Sequence, residues 1–265
     1  MSEMLLGQFV TLLTDFGLQD AYVGMMKGAI AQVNATLTVI DLTHQVLPQD
    51  ITAGRFHLMS AYPYFPPRTV HIAVVDPGVG SERRAIAIQL QDGFLVGPDN
   101  GLLSGILDQH LAIAAVELTN SDYWRTSQPS ATFHGRDIFA PVGAHLASGV
   151  ALEKLGTAID LTSLKRIPLV ACTKMAGAIA GTIQHIDHFG NLITNIPGNE
   201  VIDKSWLVAI GEMTIPGKHT YADTPTGDLL ALIGSHNWVE VAVSGGNAQA
   251  QLQLCVGSPV QVIFL

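Results

Sequence analysis

The chain has 265 residues, of which 48% are hydrophobic and only 13% charged, about half the usual charged fraction. Thirteen basic against 22 acidic residues give a formal net charge of −9, which repels a phosphate backbone, argues against a nucleic-acid partner and fits a cationic small molecule better. Mean hydropathy is high at +0.34, yet no apolar run approaches the roughly 18–20 residues of a membrane span, so the excess is assigned to buried subunit interface and an oligomer is expected.

The opening stretch, MSEMLLGQFVTLL, has neither a basic region nor a small-residue cleavage site, so no leader is expected and the cytoplasm is the default location. Short β-rich runs at 8–14, 36–42, 69–75 and 85–97 alternate with helical stretches at 20–33 and 50–62. That alternation predicts a parallel sheet with helices on its faces. A further helix is expected over 136–148, with Asp137 as its cap and Pro141 tolerated near its first turn. After about residue 165 the pattern changes to short alternating runs at 180–187, 204–211, 212–216, 229–235, 238–245, 250–257 and 259–265. These predict a small antiparallel sheet or barrel, with 164–175 as the connection and domains of 1–165 and 166–265. Cys172 and Cys255 are far apart in apolar surroundings and read as core residues, not a disulfide.

In open α/β sheets ligands bind beyond the carboxyl ends of the strands. The expected strand ends here carry Asp15, then Asp41 and His44, then Asp76, then Asp99 and Asn100. Each alone is an ordinary turn residue, but one site could collect several of them. The DPGVG turn after Asp76 would let backbone approach a ligand closely, though it lacks the third glycine of a dinucleotide fingerprint. No H-E-x-x-H, C-x-x-C or G-x-S-x-G spacing occurs. His185 and His188 flank Asp187 without a metal-ligand spacing, and LTDFG at 13–17 has no kinase context. His134 in ATFHGRD reads either as a structural histidine or, together with Asp76 and Arg83, as part of a water-activating group.

Six blocks then carry a resemblance along nearly the whole chain: LTDFGLQDAYVGMMKG (13–28), IDLTHQVLPQD (40–50), VVDPGVGSERR (74–84), GPDNGLL (97–103), TFHGRDIFAPVGAHLASG (132–149) and IDHFGNLITNI (186–196). The sequence resembles the S-adenosyl-L-methionine hydroxide adenosyltransferases, adenosine-forming hydrolases related to the fluorinase and chlorinase. The resemblance implies an N-terminal Rossmann-like α/β domain, a C-terminal antiparallel β-barrel domain, and a homotrimer with active sites between subunits. It implies S-adenosyl-L-methionine as substrate, adenosine as product, and neither metal nor redox cofactor.

The family's water-activating Asp, Arg and His fall on Asp76, Arg83 and His134; Arg84 is adjacent, and the sequence leaves the choice between the two arginines open. Asp15 falls where the family grips both ribose hydroxyls, and Asp20 and Asp187 near the amino-acid part. Phe189 falls where a neighbouring subunit stacks on adenine, Asn191 where its edge is read, Ala248 where backbone meets adenine, and Ser235 at the methionine end. Without the resemblance, Phe189 reads as a core aromatic and Asn191 as a turn residue. Halogenating relatives carry Tyr-Pro where this chain has Asp76-Pro77, and a carboxylate repels a halide but can hydrogen-bond water. A binding protein that senses the same ligand without turnover is the alternative from another class; Asp76, Arg83 and His134 together argue for chemistry, since a binder needs none of them.

Overall fold

The computed structural model describes residues 9–168 and 171–265, so the first eight residues, on which the reading of a missing leader partly rests, and Leu169 and Val170 of the connecting segment lie outside the described residues. The chain divides into two compact units, one up to Ile167 and one from Pro168.

The first unit holds strands β1 (Phe9–Thr14), β2 (Thr38–Thr43), β3 (Thr69–Val74), β4 (Ala85–Leu90), β5 (Gly93–Pro98), β6 (Ala112–Glu117) and β7 (Thr157–Ala158). Its helices are α1 (Tyr22–Val33), α2 (Ile51–Ala61), α3 (Ser104–Leu107) and α4 (Ala140–Ala147). One sheet runs in the order β2-β1-β3-β5-β4-β6-β7. The first four strands in that order are mutually parallel, and the pairings beyond β5 are antiparallel, so the sheet is mixed. The run 85–97, expected as one strand, is a hairpin: Gln91 and Asp92 turn the chain, and β4 and β5 pair back on each other.

Period-two alternation divides the core between the two faces of the sheet. Val10 and Leu12 of β1, with Val70, Ile72 and Val74 of β3, pack with Met26, Ala29 and Ile30 of α1 and with α4. Leu13, Ala73 and Val75 face the other way, toward Leu58 of α2 and Ile106 of α3. All six residues of β3 are buried, as a central parallel strand covered by helices on both faces requires.

The second unit holds β8 (Thr173–Met175), β9 (Ala178–Ile186), β10 (Leu192–Pro197), β11 (Trp206–Ile210), β12 (Met213–Pro216), β13 (Leu229–Ile233), β14 (Trp238–Val243), α5 (Ala248–Leu252) and β15 (Pro259–Phe264). The order β12-β11-β15-β9-β10-β14-β13 is antiparallel throughout. A bridge from Gly217 to Ala231 brings the two outer strands together, so the sheet nearly closes into a barrel.

Two local expectations fail. Residues 250–257 alternate like a strand, but Asn247 caps a helical turn by accepting from the Ala250 N–H at 2.7 Å, and Gln253 ends it in the left-handed conformation. Cys255, read as a core residue, is exposed.

The turn after β3 is fitted to the loop that precedes the 135–147 helix. Gly80 has φ +77°, and a Cβ there would lie 2.3 Å from the Ala131 carbonyl oxygen. Gly17 has a similar φ of +66° but open space around it. Gly17→Ala is therefore expected to cost about 1–2 kcal/mol, the left-handed conformation alone, and Gly80→Ala about 3 kcal/mol or more because the loop must also move. Urea midpoints compare the two, and equal shifts would contradict the packing account.

Candidate active site

In the sheet order, β1 lies between β2 and β3, so the chain leaves β1 to one side for β2 and crosses to the other side for β3. The crevice beyond the carboxyl ends of β1 and β3 is such a switch point, where open α/β sheets take their ligands. A cleft of about 420 Å³ opens there, lined by Asp15 and Phe16 after β1, Val74, Asp76, Pro77 and Val79 at the end of β3, Pro48 and Gln49, Tyr22, and residues 132–135. Phe16, Tyr22 and Phe133 pack edge to face, with ring centroids 5.2–6.0 Å apart, and make one aromatic wall. Sequence reading did not single out Tyr22, Phe133 or Gln49; the only signal was their place inside the quoted blocks.

Of the four strand ends, two supply the cleft. Asp15 lines it, with Oδ2 held by the Gln49 backbone N–H at 2.8 Å, and so does Asp76. Asp99 instead accepts from Arg84 Nε at 3.0 Å and from the Lys165 N–H at 2.8 Å, and Asn100 Nδ2 donates to the Val75 carbonyl at 2.9 Å. Asp41 pairs with Lys27 at 2.6 Å. Asp20 is exposed and is not among the residues that line the cleft.

Asp76, Arg83 and His134 come together. Arg83 Nε donates to Asp76 Oδ1 at 3.0 Å, Nη2 donates to Oδ2, and the two side chains are 4% and 5% exposed for Asp76 and Arg83. The same Nη2 lies 3.1 Å from His134 Nδ1, and the guanidinium stands over the Phe139 ring at 5.4 Å. Because a guanidinium only donates, Nδ1 accepts, and the proton of the neutral ring sits on Nε2. Burial, and then the Arg83 charge, push the His134 pKa below its ordinary 6.5, against smaller opposing effects of Asp76 and Asp137. Arg83 Nη1 is buried without a hydrogen bond to any described residue. Arg84 points away to Asp99 and Ser163, because successive residues entering a strand face opposite sides.

Asp137 ties down the loop that carries residues 132–134, through its own N–H to the Phe133 carbonyl at 3.2 Å and through its carboxylate. This residue does not cap the helix as expected; it lies inside a π-helical turn, Gly135–Phe139, that runs into α4, with Pro141 in the first turn of α4. Its carboxylate is fully buried and accepts from Arg125 Nε at 2.5 Å, Arg136 Nε at 2.7 Å and the Ser130 N–H at 2.9 Å. Burial works against that charge, but these donors outweigh it and hold the carboxyl well below the usual range.

In the second unit, Asp187 organises the turn between β9 and β10. It accepts from the Phe189 N–H at 2.9 Å, the Asn191 N–H at 2.8 Å and Asn191 Nδ2 at 2.9 Å. Phe189 is thereby presented to solvent, 70% exposed, and is no core aromatic, while Asn191 is buried. Gly190 packs so closely on Asn247 that a Cβ would meet its amide at 2.2 Å, and the Gly190 carbonyl accepts from the Gln249 N–H at 2.9 Å, which sets this turn beside the buried Ala248. Ser235 is exposed in the turn between β13 and β14. Beside it, and unforeseen in the sequence, the buried Glu240 accepts from Tyr221 Oη at 2.6 Å and lies 3.1 Å from His236 Nε2. Among the described residues no three His, Cys, Asp or Glu side chains gather so as to hold a metal ion, and no helix is long and apolar enough to cross a membrane.

The chain is 42% identical over 258 residues to the (R)-S-adenosyl-L-methionine hydrolase of Salinispora tropica, covering 96% of this chain and 97% of that one. It is 25% identical over 297 residues to a fluorinase of Actinopolyspora mzabensis, covering 99% of each. The fold matches the crystal structure of an uncharacterized conserved protein from Thermotoga maritima with a TM-score of 0.90 and 33% identity, over 96% of this chain and 99% of that one. Residues 10–156 match the profile of the SAM hydroxide adenosyltransferase N-terminal domain and residues 181–261 that of the C-terminal domain, so the chain belongs to the SAM hydroxide adenosyltransferase family.

Proposed function

We propose that the protein hydrolyses S-adenosyl-L-methionine, in the (R) form for which its relative is named, to adenosine and L-methionine by direct displacement at C5′. The observation that carries this reading is the buried Asp76 carboxylate, clasped by Arg83 beside His134, at a strand end that lines a cleft. Each Asp76 oxygen spends one lone pair on Arg83 and keeps another for a water O–H. The water oxygen forms the new bond to C5′ as the C5′–S bond breaks, and that electron pair stays on sulfur. Methionine leaves as a neutral thioether, so no general acid is needed behind it; the proton released by the water passes to Asp76 and then to solvent. What the site must supply is in-line placement and a dry pocket. His134 Nε2–H donates to the water oxygen and fixes its direction, and the unspent donors of Arg83 Nη1 favour a hydroxide-like oxygen nearby.

Asp15 takes both ribose hydroxyls with its carboxylate, and Asp20 and Asp187 face the amino-acid part. Phe189 stacks on adenine, and Asn191, Ala248 and Ser235 complete the pocket from the C-terminal domain of a neighbouring subunit in a cytoplasmic homotrimer. Exposure of Phe189 in the single chain supports that arrangement, since a stacking platform must be presented outward.

Turnover in oxygen-18 water, followed by chromatography and mass analysis for both sulfonium forms, is expected to put label in the 5′ oxygen of adenosine. Asp76→Ala is expected to lose at least about 10²–10⁴-fold in rate. Tight ligand binding by the native protein without product would replace this reading with a non-catalytic sensor. Because the His134 pKa lies below 6.5, the neutral ring persists to lower pH than in an ordinary histidine. The acid limb of kcat/KM is therefore expected to have its midpoint below 6.5, and a midpoint above that value would remove neutral His134 from the mechanism.

A further inference from the structure

His44, at the end of the second strand, is 3% exposed and does not line the cleft, yet it is bonded to the segment that carries Asp15 and Phe16 at both ends. Its Nδ1 lies 2.8 Å from Thr14 Oγ1, and its carbonyl accepts from the Gly17 N–H at 2.8 Å. Thr14 Oγ1 also accepts from the Phe16 N–H at 3.2 Å. On its far side, His44 Nε2 lies 3.1 Å from Asp41 Oδ1, beside its charge but without hydrogen-bond geometry, and Asp41 in turn holds Lys27.

The strands explain why His44 reaches Thr14. The β1–β2 pairing sets Leu12 opposite Asp41 but Leu13 opposite Thr43, so β2 carries one extra residue at Leu42. Such a bulge bends the strand and re-aims the side chains beyond it. The direction of the hydrogen bonds comes from donor and acceptor capacity. An unprotonated Nε2 would set its lone pair against the Asp41 carboxylate 3.1 Å away, so the proton of a neutral His44 ring belongs on Nε2, and Nδ1 then accepts. The fully buried Thr14 hydroxyl then donates to Nδ1, which orients its lone pairs toward the Phe16 N–H. A directional chain of hydrogen bonds runs from His44 through Thr14 to the backbone on the far side of Asp15, with the Asp41 charge beside His44 Nε2.

We propose that His44 is a positioning residue for the hydrolysis: through Thr14 and Gly17 it fixes the Asp15–Phe16 segment in the geometry that holds the ribose, with Asp41 selecting its tautomer. The proposal rests on the assignment of the cleft to S-adenosyl-L-methionine. Its consequence is an asymmetry between two substitutions of similar polarity. Asparagine at 44 can present an acceptor near the place of Nδ1, toward Thr14, whereas glutamine reaches only toward Asp41.

KM and kcat for S-adenosyl-L-methionine, and the adenosine Kd by calorimetry, are measured for the native protein, His44→Asn, His44→Gln and Thr14→Val, with Tm recorded for each. His44→Gln and Thr14→Val are expected to lower kcat/KM by about 10–100-fold, mostly through KM and with matching loss of adenosine affinity, because small misplacement of a positioning group has effects of that order. His44→Asn is expected to remain within about threefold of native at a Tm equal to that of His44→Gln. If the native protein turns over but the Asn and Gln variants fall equally, or fall in step with Tm, His44 is structural and the proposal is overturned alone. If the native protein neither turns over nor binds adenosine, the assignment of the cleft is wrong and the proposal falls with it.

Discussion

The Arg83 clasp on Asp76 is the interaction on which the first unit depends. Both side chains are nearly out of solvent, and a buried charge left without its partner costs about 3–5 kcal/mol. The backbone must therefore deliver Arg83 to Asp76 within seven residues of a strand end. It does so by reversing direction through Pro77 and two glycines and entering β4 antiparallel to its neighbour β5. That reversal is also why the sheet is mixed, and why Gly80 must lie flat against the Ala131 carbonyl. Satisfying one ion pair brings the loop holding His134 against the end of β3.

A second consequence is rigidity without a rigid element. The cleft is built almost entirely from loops, yet its loops are tied by side chains that accept from backbone: Asp15 from Gln49, Thr14 from Phe16, and Asp137 from Ser130. Loops placed this way on a packed sheet can hold a reacting geometry that free loops could not. The fully buried Asp137 shows how strong those ties are, since its charge is kept against desolvation by two arginines and a backbone N–H.

How far the sequence reveals all this depends on the range of the interaction. Strand and helix alternation is local, so the first unit, a sheet with helices on both faces, and the strand-rich second one are legible. Asp76, Arg83 and His134 are nominated by the blocks that contain them, and the meeting of 76 with 83 spans only seven residues. The choice of Arg83 over Arg84 is not legible, because it depends on which side of β4 each residue enters and on Asp99 waiting on the other side. Nor is the hairpin within 85–97, where both arms are apolar and the turn is two ordinary polar residues. Residues 250–257 mislead for the opposite reason: alternation is genuine there, but a single Asn247 cap outweighs it. The Tyr221–Glu240 and His44–Thr14 contacts join residues distant in sequence, which no local pattern encodes.

Part of the net negative charge falls at the cleft. In the first unit several carboxylates have cationic partners: Asp76 has Arg83, Asp99 has Arg84, Asp137 has Arg125 and Arg136, Asp108 has Arg55 and Arg166, and Asp41 has Lys27. Among the described residues no ion pair engages Asp15 or Asp20. Asp15 therefore stands in the cleft as a carboxylate without an ion-pair partner, while the Asp76–Arg83 pair is itself neutral, and low-dielectric walls carry its field further than water would. A cationic sulfonium entering that cleft gains from the charge, and the neutral thioether and nucleoside that leave it do not. The same arrangement that draws the proposed substrate in holds its products less tightly, which suits a site meant to turn over.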